Sequence, residues 1–190
     1  NEWLDSDSGN TFEVVNPFTE KVIANVPASG KSDIDKAVRA AQVAFKGWST
    51  MTAGGRRDYL QALAQKSMDH ADSLAKIISI EMGKPLKDAM TEIEDLSEYL
   101  QYYSELARDQ VGRIVSPTEK KSMSLIRYEP YGVVGCILPW NYPLSLMGWK
   151  LAPALAAGNT IIMKPSEITS TSLLHWAEIV CLLYTSDAAD

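Results

Sequence analysis

The sequence predicts an α/β protein: the opening of a doubly wound, Rossmann-like parallel sheet, preceded by a hairpin, a helical region and a ribbon. Three observations predict it. The run VVGCIL (133–138) and the run TIIMK (Thr160–Lys164) are continuously apolar, the pattern of strands buried on both faces of a parallel sheet. A helical stretch at 144–157 ending at Gly158 separates them, and another helix follows from Thr171, so the order is strand, helix, strand, helix. Upstream, apolar residues recur at helical rather than strand spacing over some seventy residues.

Each element has its own warrant. Residues 12–15 and 21–26 are short β-rich runs around NPFTE, whose Asn16-Pro17 starts a turn, predicting an N-terminal hairpin. Ser32, with Asp35 three residues on, predicts a helix start, and Ile34, Ala37, Val38, Ala41 and Phe45 give that helix one buried stripe. A second helix is expected over 55–69 with Tyr59, Leu60, Leu63, Ala64 and Met68 inward. A third covers 72–82 and stops at Gly83-Lys84-Pro85, glycine at the cap and proline beyond. A long helix runs from 86 to about 108 on a stripe of Met90, Ile93, Leu100 and Tyr103. Runs 111–115 and 123–128 are expected as an edge ribbon. The tail CLLYTSDAAD ends in small polar residues where a third apolar strand is due, and 181–190 is expected to be non-native.

Composition narrows the function classes. The 190 residues carry 18 Lys and Arg against 24 Asp and Glu, a net charge of −6. With no basic stripe to neutralise phosphates, nucleic acid is not an expected partner. No apolar stretch is long enough to span a bilayer, so no membrane partner is expected either. Cys136 and Cys181 lie far apart, as do His70 and His175, so no metal site is expected, and a reducing cytoplasmic setting fits best.

Two stretches point to chemistry. PWN (139–141) follows the first parallel strand and KPSE (164–167) follows the second, and ligands of open α/β sheets bind at the carboxyl ends of strands. Parallel neighbours put both motifs on one edge. Asn141 sits between Pro139 and Pro143, which stiffen its segment. It either caps the next helix or is aimed at a ligand. Lys164 and Glu167 have plain readings too, a solvated lysine and a helix-start carboxylate. No G-x-G-x-x-G occurs at the first strand–helix turn.

The segment YEPYGVVGCILPWNYPLSLMGWKLAPALAAGNTIIMKPSE (128–167), together with EMGKP and FEVVNPFTEKVIANVP upstream, resembles the NAD(P)-dependent aldehyde dehydrogenase superfamily. PWN, APALAAGN and KPSE in this order and spacing carry the resemblance. It implies an oxidoreductase (EC 1.2.1.-) that converts an aldehyde to a carboxylate through a cysteine thioester. It implies Asn141 as side-chain donor to the oxyanion, and Lys150 as a lysine in a proton relay, for which a structural ion pair is the alternative. Lys164, Pro165, Ser166 and Glu167 match the stretch beside the adenine ribose, and Ile137, Leu138, Pro139, Trp140 and Asn141 the wall along the cofactor. A carboxylate at Glu167 accepts from a free 2′-hydroxyl and repels a 2′-phosphate, so NAD is expected over NADP.

Tyr142, Leu146 and Trp149 share one helical face and match the aldehyde tunnel. Relatives that select a distal carboxylate often carry arginine where Trp149 stands, which argues against succinate semialdehyde and for apolar or cationic aldehydes such as betaine or amino aldehydes. The chain departs from the family in lacking the downstream nucleophilic cysteine and general-base glutamate. Cys136, inside an apolar strand, is not that nucleophile. The expected organisation is therefore an N-terminal part: 1–110 hairpin and helices, 111–128 oligomerisation ribbon, 129–180 the first βαβα unit, and no catalytic domain. The whole enzyme is expected to be a homodimer or homotetramer acting on a small aldehyde. A non-catalytic cofactor-binding or oligomerisation module of the same fold is the alternative.

Overall fold

The computed structural model describes residues 2–109, 111–117 and 119–186, with side chains through Cys181. Strands β1 (Thr11–Val15) and β2 (Val22–Pro27) form the antiparallel hairpin, with a register shift between Val14 and Val15. Its turn is an Asx turn: Asn16 Oδ1 accepts from the N–H groups of Phe18 (2.8 Å) and Thr19 (3.1 Å). Helices α1 (Lys31–Thr50), α2 (Ala53–Asp69), α3 (Ala71–Met82) and α4 (Leu86–Leu106) follow. Gly83 ends α3 at φ 79°, the left-handed conformation that glycine adopts without a Cβ penalty.

Strands β3 (Arg113–Val115) and β4 (Ser124–Ile126) form the ribbon, exposed along its length. Then β5 (Val133–Ile137), α5 (Pro143–Ala156), β6 (Thr160–Lys164) and α6 (Thr171–Ser186) make the expected unit. β5 and β6 pair parallel, from Val133 against Thr160 to Ile137 against Lys164. Helix α6 continues six residues into the tail, and 187–190 lie outside the described residues.

One core joins the layers. Leu60, Leu63, Leu74, Ile78, Ile93, Leu96 and Leu100 of α2–α4 meet Leu144, Met147 and Leu151 of α5, with Leu173, Trp176 and Ile179 of α6. The α4–α5 contact is close: a Cβ at Gly148 would lie 3.0 Å from Leu96 Cδ1 and 3.1 Å from Tyr99 Cδ2. Asn159, last residue of APALAAGN, stitches the unit by accepting from Gly132 N–H (3.1 Å) and donating to the Ala154 carbonyl (3.2 Å). Buried Arg56 donates from Nε to the Ala156 carbonyl at the end of α5 (3.0 Å), and burial lowers its pKa.

Four expectations are corrected. Helix α1 starts two residues early: Asp33, not Asp35, reaches back to an N-cap N–H, that of Gly30 at 2.8 Å, so Ser32 lies inside the helix. The α1 stripe is not buried, and Ile34 is 54% exposed, because α1 packs mainly on the two-stranded β5–β6 sheet, which is too small to cover it. Met68 is exposed, and Arg56 and Ser67 take the inward positions of α2, each held by hydrogen bonds. The parallel strands are not buried on both faces. Cys136 and Leu138 point into the core, while Ile137 on the opposite face is 83% exposed.

Candidate functional site

The carboxyl ends of β5 and β6 build the site. Leu138 N–H donates to the Lys164 carbonyl (3.0 Å), extending the pairing one residue past β5 and bringing the loop 138–142 beside the loop 164–170. Leu138 turns into the core, while Pro139, Trp140, Asn141 and Tyr142 are exposed at that edge with Ile137. Pro143 is the first helical residue of α5, where its missing N–H is no loss.

Asn141 does not cap α5. Tyr142 occupies the N-cap position and offers no side-chain cap bond. The orphan N–H groups of α5 are satisfied from another helix: Glu92 of α4 accepts at Oε1 from Leu144 (2.8 Å) and Ser145 (3.4 Å). Among the described residues the Asn141 side chain has no hydrogen-bond partner. Only its backbone carbonyl is engaged, by Lys84 Nζ at 3.2 Å.

The second loop repeats the arrangement. Glu167 lies four residues before α6, so it is not in the first turn of that helix. Glu81 of α3 serves there, accepting from the N–H groups of Thr171 (2.8 Å) and Ser172 (3.2 Å) and from the Thr171 hydroxyl. Glu167 instead faces Lys164 Nζ at 3.3 Å, both exposed. Its own backbone N–H, then the Lys164 ammonium, hold its carboxyl below the usual range. Pro165 is half-buried, and Ser166 is buried with its hydroxyl accepting from Ile168 N–H at 3.4 Å.

Glu81 and Glu92 are both fully buried, and burial raises their carboxyl pKa against the opposing pull of their donors. Glu92 also pairs with Lys84 (2.8 Å), whose ammonium lies 3.9 Å over the Tyr142 ring. The sequence reading missed Lys84, Glu81 and Glu92. A signal was present: Glu92 falls three residues after Ala89 and four before Leu96, and Glu81 three after Ile78, on inward stripes.

Tyr142 at the N-cap is followed by Leu146 and Trp149 on α5, with Trp149 edge-on to Tyr99 at 5.9 Å between ring centroids. Leu146 is half-buried, and Tyr142 and Trp149 are about half exposed. Lys150 is exposed and has no ion pair among the described residues; its charge acts on Cys136, against the burial that raises that thiol.

Comparison with known proteins places this edge in context. The aldehyde dehydrogenase family matches residues 3–182. The mitochondrial succinate-semialdehyde dehydrogenase of Arabidopsis thaliana is 38% identical over 178 residues, covering 94% of this chain and 34% of that protein. The crystal structure of betaine aldehyde dehydrogenase from Staphylococcus aureus in complex with NAD+ superposes with a TM-score of 0.91 at 36% identity, covering 95% of this chain and 36% of that one. An NADP-dependent enzyme of E. coli gives 0.92 at 32% identity, over 95% and 37% of the two chains. The chain thus spans about a third of the length of the proteins it matches. With the match running through the hairpin, the helices and both strand-end motifs, the chain belongs to the aldehyde dehydrogenase family.

Proposed function

We propose that this chain builds the oxyanion-donor and adenosine-binding part of an NAD-dependent aldehyde dehydrogenase. The observation that carries the reading is that Asn141, exposed between two prolines, is freed from helix capping by Glu92. An amide held there donates to an oxygen as negative charge develops, without reorganising at the moment of reaction.

The residues at the edge fit the cofactor. Lys164 and Glu167, 3.3 Å apart, offer a donor and an acceptor to vicinal ribose hydroxyls, each of which can both donate and accept. The lowered Glu167 carboxyl is charged at neutral pH and opposes a 2′-phosphate, which favours NAD over NADP. Exposed Ile137 with Pro139 and Trp140 supplies an apolar wall, and buried Ser166 with Pro165 stiffens the second loop. When bound, NAD supplies the hydride acceptor.

The nucleophilic cysteine that forms the thioester, and the general-base glutamate, we place outside this chain, as its span of about a third of its relatives supports. Burial of Cys136 in β5, which raises its thiol pKa, argues against it as that nucleophile. Lys150, exposed one turn beyond Leu146, is left to relay protons with acidic groups of the rest of the enzyme.

For the substrate, Trp149 where a carboxylate-selecting relative would carry arginine favours apolar or cationic aldehydes over succinate semialdehyde. The Tyr142 ring is already engaged by Lys84, which leaves Trp149 as the aromatic face for a cation. The exposed apolar ribbon, with Ile114 80% and Leu125 65% exposed, is read as the surface joining a cytoplasmic homodimer or homotetramer.

The test is Asn141→Ala in the complete enzyme. Turnover should fall about 10²–10³-fold with NAD binding near wild type. A purely structural asparagine would leave kcat intact and show only a lowered melting temperature, whereas a non-catalytic module would show no aldehyde oxidation in the complete wild-type protein.

A further inference from the structure

We propose that Lys84, seated by Glu92, is a positioning residue that fixes the Asn141 loop for transition-state stabilisation; this rests on Asn141 acting as the oxyanion donor. The Gly-Lys-Pro sequence at 83–85 ends one helix and starts another, which accounts for its glycine and proline but not its lysine. The Lys84 side chain is only 9% exposed, and Glu92 is fully buried.

The ammonium makes three contacts: Glu92 Oε2 at 2.8 Å, the Asn141 carbonyl at 3.2 Å and the Tyr142 ring at 3.9 Å. The other Glu92 oxygen holds Leu144 N–H at 2.8 Å. One buried ion pair thus grips both ends of the segment 141–144, which Pro143 within it and Pro139 before it stiffen but do not aim. Lys84 is 57 residues from Asn141 in sequence and donates to its backbone, so it sets where the side-chain amide starts without touching the reacting atoms. A misplacement near 1 Å at such a group can cost on the order of 10²-fold in rate.

The experiment is a double-mutant cycle in the complete enzyme with Lys84→Met, Asn141→Ala and the pair, measuring kcat, both KM values and thermal stability. Lys84→Met should lower kcat about 10- to 100-fold with KM for NAD near wild type. The double variant should be no slower than Asn141→Ala, because the lysine has nothing left to aim. A folded Lys84→Met enzyme with normal kcat overturns the proposal, and so do rate losses that multiply in the double variant. Asn141→Ala alone tests the oxyanion reading, so failure there is distinct from failure of the cycle. If Lys84→Met does not fold, Glu92→Gln keeps an acceptor for Leu144 and removes the charge that seats the lysine. It should lower kcat in the same way, and normal turnover by that variant counts equally against the proposal.

Discussion

Replacing Glu81 with alanine should open the first turn of α6. The carboxylate accepts from the N–H groups of half-buried Thr171 and buried Ser172 and from the Thr171 hydroxyl, at the start of the helix. Each buried N–H left without a partner costs about 1–3 kcal/mol. Removing the desolvated carboxyl returns part of that, so the net loss should be about 2–4 kcal/mol. Amide exchange at Thr171 and Ser172 should then quicken roughly 30- to 1,000-fold, at about 1.4 kcal/mol per decade. Glu81→Gln keeps a carbonyl acceptor and should cost about 1 kcal/mol.

The two variants also differ in pH dependence. Burial raises the folded pKa of Glu81, so folding takes up a proton between the unfolded value, about 4.3, and the raised one. The stabilisation from this group is complete below the unfolded pKa and is lost as pH rises through the folded pKa. Wild type minus Glu81→Gln should therefore shrink as pH rises through that window. Measurement of exchange and denaturant midpoints from mildly acidic to neutral pH checks both points. An Ala variant with exchange at Thr171 near wild type, or a difference that grows with pH, would refute the reasoning.

Glu167→Gln in the complete enzyme should raise kcat/KM with NADP relative to NAD, because the charge opposing the 2′-phosphate is gone; an unchanged ratio would mean the carboxylate does not face the ribose. Residues 1–190 expressed alone should be poorly soluble or loosely packed, since β5 and β6 form a two-stranded sheet and the ribbon is an exposed apolar edge. They should show no NAD-dependent aldehyde oxidation, and a soluble, cooperatively melting protein with that activity would restore Cys136 as a nucleophile.

What the sequence determined by itself is what local chemistry fixes. Apolar periodicity gave the helices and the strands that carry PWN and KPSE, and glycine and proline punctuation gave their ends, as at Gly83 and Gly158. Parallel pairing then puts both motifs on one edge whatever the details of packing. Strand burial was not local: Ile137 reads as core because it is apolar, and its exposure depends on what lies over that face. Nor was the resolution of the two ambiguous motifs. Asn141 and Glu167 also read as helix-start residues, and only the tertiary structure removes that reading, because Glu92 and Glu81 satisfy those helix starts from 52 and 90 residues away. Their positions on inward stripes mark them as buried, but a buried carboxylate's partner is set by which helix ends the fold brings to it, and spacing along one helix carries no trace of that.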